Sequence, residues 1–294
     1  MSNLTFTAYS RLKWGVAGIL LLLLWAVPIR EVAAQPQAVP VLTGLKDARS
    51  VYITPLSEIY VVETGRHRLL KSRLDGARLD SLGSRGFGDY ELNSPLDVDA
   101  TNGLKIYVTD HSNNRVQVYD RRLQYLSSIT TPPRNLSRDR YSPTVIVSNS
   151  LREIFFYDSE NRHIIKYNPN GEWSMNFDSY GGQINYPPTD ITSSEQKLLV
   201  ADSADNVIHV LSNLGQYEKF IALPKDFSPL AINADANHVN VLGTDRILEL
   251  SLKGRIERKI RLPGHLGLPK DIERMDNTFY ILTASALYRL SPPR

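Results

Sequence analysis

Residues 107–120 read YVTDHSNNRVQVYD, two runs of alternating character joined by a polar middle that opens on Asp110 and His111. Alternation puts every second side chain on one face, the mark of a β-strand, so the stretch is a hairpin. Its middle is then either a turn or a catalytic cluster. A turn recurs wherever its structural unit recurs, whereas a catalytic group is needed once.

The unit does recur. IYVVETGRHRLL carries Glu63, IYVTDHSNNRVQV carries Asp110, IFFYDSENRHIIKY carries Asp158 and LLVADSADNVIHV carries Asp202, at spacings of 47, 48 and 44 residues. Two fainter copies, VNVLGTDRILEL near Gly243 and FYILTASALYRL near Thr283, shorten the turn and drop the acid. A second marker keeps the same beat: Gly76, Gly171, Gly215 and Gly254 follow the third strand, where a tight turn needs positive φ. In the second copy Asp120, Arg121 and Arg122 stand there instead. A third marker opens the unit, with Pro95, Pro143, Pro188, Pro229 and Pro269 each ahead of a short apolar strand. Four short antiparallel strands in about 43 residues, six times over, are the signature of an all-β, six-bladed propeller. The last copy has three strands, and AVPVLTG near the N-terminus has no sheet of its own. That N-terminal strand is expected to complete the sixth blade and close the ring.

Proline before an aliphatic strand, then YVTD, then NNRV, with GSRGFGDYELNSP between the first two units, resembles the NHL repeat family of six-bladed β-propellers. The resemblance implies a fold more firmly than an activity, since the family spans protein-binding and RNA-binding modules and amidating lyases. Its lyase branch holds zinc on histidines. Here the first four of six histidines fall 4, 1, 5 and 7 residues after their unit's acid, so they do not form one ring.

The first 34 residues differ from the rest. A basic start with Arg11 and Lys13, the apolar run GVAGILLLLLWAV and a small-residue exit at Ala34 read as a secretory signal peptide, cleaved before Gln35. The other reading is an uncleaved membrane anchor. Residues 35–294 then form the propeller, expected to be a periplasmic or extracellular monomer, with any membrane contact made through the retained signal. The chain has no cysteine, so disulfides and thiolate metal sites are excluded. Without the signal the acids and bases nearly balance, which with export argues against a nucleic-acid partner.

Two sets of residues are candidates for function. Two positions after the prolines of the second, fourth and sixth units stand Asp97, Asp190 and Asp271, where Ser50, Val145 and Ala231 occupy the alternate units. Three carboxylates around one axis suit a hard divalent cation such as calcium; alternatively, each accepts hydrogen bonds from a neighbouring blade's backbone. The second set is Arg66, His67, Arg68, His111, Asn113, Arg115, Arg162 and His163, at turns that share a face with the channel mouth. They are expected to meet a protein or polysaccharide ligand, unless the arginines pair with the turn acids. The function expected is a non-catalytic binding or scaffold module engaging its partner on the channel face. The alternative is an extracytoplasmic lactonase, lyase or hydrolase with a divalent metal at the channel mouth.

Overall fold

The computed structural model describes residues 36–130, 140–177 and 187–291. The expected signal peptide lies outside them. Six four-stranded antiparallel sheets follow one another around a ring: blade 1 at 48–82, blade 2 at 95–129, blade 3 at 143–177, blade 4 at 190–222, blade 5 at 231–261, and blade 6 at 269–291. Blade 6 takes its outer strand from Gln37–Thr43, which runs antiparallel to Ala286–Ser291 with Gln37 opposite Ser291 and Thr43 opposite Ala286. The ring is closed as the sequence predicts.

Burial follows from position. The second and third strands of a blade lie between two neighbouring sheets, so Lys105–Asp110 and Arg115–Asp120 are buried on both faces almost throughout, whereas the outer strand Arg78–Leu82 is exposed except at Leu82. Apolar side chains then gather in six clusters, one per joint between blades. At joint 6–1, for instance, Leu42, Val51, Ile59, Val61, Tyr280 and Leu282 pack together. No blade buries its own faces, so each depends on both neighbours.

The turns obey the beat read in the sequence. Gly76, Gly171, Gly215 and Gly254 have φ of 84°, 82°, 77° and 90°. Blade 2 manages without glycine: Leu123 takes φ 59°, its side chain buried at joint 1–2, while Asp120 Oδ1 accepts the N–H groups of Arg122 and Gln124. A second regularity was not anticipated. Four residues after each acid, His67, Asn114, Arg162 and Asn206 are all left-handed. At Gly76 a Cβ would lie 2.4 Å from Val41 O, on the closing strand, whereas Gly103 at φ 74° has open space around it. Gly76→Ala should therefore destabilise the protein by about 1–3 kcal/mol, clearly more than Gly103→Ala, as read from urea midpoints.

Candidate functional site: the channel and the turn face

The innermost strands begin at the channel, and their first residues define its waist. Asp97 Oδ1 accepts its own neighbour's N–H, from Val98 at 2.8 Å, and Oδ2 accepts N–H of Ile146 in blade 3 at 2.6 Å. Asp190 does the same with Ile191 at 2.7 Å and Ile232 of blade 5 at 2.8 Å. Asp271 repeats it with Ile272 and with Val51 of blade 1, both at 2.7 Å. One device thus fastens joints 2–3, 4–5 and 6–1. Each carboxylate joins two blades through backbone N–H groups that strand pairing leaves free.

Two residues further along the same strands a second level of acid appears. Asp99 accepts the hydroxyls of Ser148 and Thr101, the latter at 2.7 Å, and Glu273 accepts Asn233 Nδ2 at 2.9 Å. Together with Asp97, Asp190 and Asp271 they line a cavity of about 270 Å³. Among the described residues none of the five forms an ion pair with a base. Burial raises Asp97 to about 7, with the charge of Asp271 adding to it; burial also raises Asp271 and Asp99 to about 6 each. Asp190 and Glu273 are pushed well up, first by burial and then by the charges around them. The hydrogen bonds pull the other way and are outweighed.

Among the described residues no group of three or more His, Asp or Glu is disposed to hold a metal ion, and each waist oxygen accepts one N–H.

The turn-face residues divide into two kinds. Arg115 is only 3% exposed: Nε meets Asp110 Oδ2 at 2.7 Å, Nη1 donates to Phe87 O, and Nη2 to Gly88 O and Glu91 O. Asn113 Nδ2 donates to Asp110 Oδ2 and Gly86 O. Arg66 and Arg68 both pair with the fully buried Glu63, and Arg66 also reaches Gly44 O. These four side chains are thus committed within the ring, and Arg115 has no free surface to offer a partner. His67 Nδ1 accepts Ser94 N–H at 3.0 Å, and His111 Nδ1 sits 3.1 Å from Pro143 O, which fixes the proton on that nitrogen. Arg162 and His163 close the equivalent blade-3 turn, with Arg162 N–H on Asp158 O and His163 paired across from Asp158. The turns at His67 and His111 each touch the lead-in to the next blade, so these turns share a face with the channel mouth.

What Arg115 holds had no place among the candidates. Residues 84–92 form a loop between blades 1 and 2, locked from below by Arg115 and Asn113 and from within by Glu91, whose Oε2 accepts N–H from Phe87 at 3.0 Å and Gly88 at 2.9 Å. A side chain at Gly86 would collide with that carboxylate. On top of the loop, Phe87 is 66% and Tyr90 49% exposed, and the Arg115 guanidinium lies 4.5 Å from the Phe87 ring centre. Phe87 is an aromatic ring held rigidly in water.

Residues 92–119, the lead-in and first three strands of blade 2, match the NHL repeat. Blade 2 is thus similar to an NHL repeat. No curated protein matches the sequence. Solved structures with the same ring include a gluconolactonase from Xanthomonas campestris, 15% identical over 88% of this chain and 90% of that one, TM-score 0.65. A virginiamycin B lyase from Staphylococcus aureus is 12% identical over 87% of this chain and 99% of its own, TM-score 0.61. A chain of a nidogen/laminin complex is 14% identical over 77% and 84%, TM-score 0.59. Identities this low establish a shared fold and no more.

Proposed function

We propose that this protein is an exported binding module that takes a protein partner on its turn face, with Phe87 as the anchor and Tyr90 beside it. The observation that carries this reading is the pairing of exposure with rigidity. A large apolar ring in water gains most from being covered, and a loop already fixed by a buried arginine loses little entropy when a partner arrives. The nidogen/laminin complex offers an example of a protein with this fold in a protein assembly, at the level of fold alone.

Phe87→Ala and Tyr90→Ala should lower the melting temperature only slightly, because Phe87 loses only its contact with Arg115 and Tyr90 only its hydrogen bonds to Gln124 and Tyr125, yet together lower partner affinity at least tenfold. Crosslinking from position 87, followed by comparison of wild type and double variant on the same partner, tests it. Equal capture by both would remove the anchor.

A second reading rests on a separate observation, the five raised carboxyl groups in the channel. A carboxylic acid that keeps its proton near neutral pH is equipped for acid–base catalysis. Solved propellers of similar fold include a gluconolactonase and a virginiamycin B lyase, so ring-opening of a lactone is the reaction to assay first. Acid release from glucono-δ-lactone above the spontaneous rate, with and without calcium, and lost in Asp99→Asn and Glu273→Gln, would favour this reading over the binding module.

A further inference from the structure

The ring has a second face, opposite the turns that carry the acids. Antiparallel pairing brings Asp99 level with Tyr107 and Tyr119 level with Tyr125, so the turn between the first and second strands of a blade and the turn between its third and fourth both lie on this far face. Tips of such turns are ordinarily polar. Here four of them carry leucine: Leu56, Leu104 and Leu151 in the first turns of blades 1, 2 and 3, and Leu214 in the last turn of blade 4, exposed by 63%, 60%, 47% and 60%. The exposed rings of Phe87 and Tyr90 stand on the other face, so aliphatic and aromatic anchors are kept apart.

The leucine turns are braced. Leu151 N–H donates to Asn149 Oδ1 at 3.0 Å, and Glu153 Oε2 accepts both Asn149 Nδ2 at 2.7 Å and Asn213 Nδ2 at 3.3 Å, which ties the turn of Leu151 to the turn of Leu214. The turn of Leu56 closes with Thr54 N–H on Glu58 O, and the Glu58 carboxylate takes Arg121 from the last turn of blade 2 at 3.1 Å. Next to Leu104, Gly103 N–H donates to Ala100 O at 3.0 Å. The apolar tips are therefore held out in water, with little entropy left to lose when something covers them.

Charge and spread indicate what covers them. Lys105, Arg122 and Arg152 stand in the same turns of blades 2 and 3, and among the described residues none of the three is in an ion pair. Of the nearby acids, Asp75 is paired with Arg73 at 3.1 Å and Glu172 accepts Asn168 Nδ2 at 2.9 Å; Glu195 and Asp276 are exposed on blades 4 and 6. The leucines stand on four successive blades instead of in one packed cluster, the form that a protein hot spot takes. A bilayer accepts each apolar tip separately and offers phosphates to the bases beside it. The chain also enters the ring on this face, because Gln37 lies opposite Ser291, at the end of the third strand of blade 6. Val27, the last residue of the apolar run, precedes Gln37 by ten residues, a reach of about 35 Å at full stretch.

We propose that the far face docks on an anionic lipid bilayer, with Leu56, Leu104, Leu151 and Leu214 dipping into the boundary between headgroups and acyl chains and Lys105, Arg122 and Arg152 meeting lipid phosphates. Phe87 and Tyr90 then point away from the membrane. The proposal holds whether or not those two rings anchor a partner.

The test uses the absence of cysteine, which allows one introduced thiol to be labelled cleanly. Leu104→Cys, Leu151→Cys and Phe87→Cys, each in the full chain and each carrying a polarity-sensitive fluorophore, are mixed with vesicles of phosphatidylcholine and about one quarter phosphatidylglycerol that contain nitroxide lipids. Labels at 104 and 151 should shift to the blue and be quenched by nitroxides placed high on the acyl chain; the label at 87 should remain in water. Leu56→Ser combined with Leu214→Ser should cut the quenching at 104 and 151 at least about threefold, while the melting temperature stays near that of wild type because both side chains are already exposed. Failure to bind the vesicles, bound chain whose labels at 104 and 151 stay in water, or quenching that the serine pair leaves unchanged overturns the proposal. Labels at 104 and 151 already buried before vesicles are added would assign the face to a second copy of this chain, and would overturn it as well.

Discussion

Arg115→Ala is expected to destabilise the protein by about 3–5 kcal/mol, because it removes one partner of a buried pair and leaves the other charged and dry. Asp110 is fully buried, and burial already pushes its carboxyl up against the pull of Asn93 N–H, Asn113 and Arg115. Without the guanidinium, that carboxylate and the carbonyls of Phe87, Gly88 and Glu91 lose their common donor. The loss should have two readouts. Chemical denaturation should report the stability, and proteolysis at Arg85 should report the loosening of residues 84–92. Arg115→Lys keeps the charge but not the planar fork that reaches several acceptors at once, so it should fall between alanine and wild type. His111→Ala, next to Asp110 on the same hairpin, removes one hydrogen bond to Pro143 O and should cost about 0.5–1.5 kcal/mol. If Arg115→Ala unfolded within about 1 kcal/mol of wild type, the guanidinium could not be what holds the loop.

This contrast also shows what the hairpin at 107–120 could reveal from sequence. Asp110 recurs as Glu63, Asp158 and Asp202, and recurrence marked it as a turn residue; the structure has it accepting the side chains of Asn113 and Arg115 from its own hairpin and the N–H of Asn93 from the lead-in to the blade. The burial of Arg115 was not legible, because its acceptors lie more than twenty residues back, in a loop whose path depends on how blade 1 meets blade 2. The three waist acids were legible from their spacing, and their bonds to the next blade match the backbone-accepting alternative. Asp99 and Glu273 were missed although the pattern was present: Pro-x-Asp-x-Asp at 95–99 and Pro-x-Asp-x-Glu at 269–273 put a second acid two residues on, the period of a strand. The last two blades looked faint for a local reason. Gly243 closes its turn by backbone alone, where a side chain would strike Phe227, and in blade 6 the Thr283 hydroxyl bonds both N–H and O of Ala286. A shorter turn needs no acid.

Removing the closing strand should have the largest effect of all. A chain that begins at Gly44 would lack the outer strand of blade 6, leaving Ala286–Ser291 as an edge with unpaired backbone groups. It would also lose Leu42 from joint 6–1, Ala38 from the packing of joint 5–6, and the carbonyl of Thr43 that accepts Arg78 Nη2. One segment thus ties three blades, and a propeller whose blades each lean on both neighbours cannot confine the damage to one sheet. The truncated chain should lose its single cooperative unfolding transition and self-associate through the bared edge. A synthetic peptide of residues 36–45 should restore the transition at saturating concentration, since strand addition needs only the missing backbone pairs and the Leu42 pocket. A peptide with Leu42→Asp should fail, because it places a charge in a joint that is otherwise apolar. Wild-type melting of the truncated chain, without peptide, would show that the ring closes by blade packing alone and that the N-terminal strand is ornament.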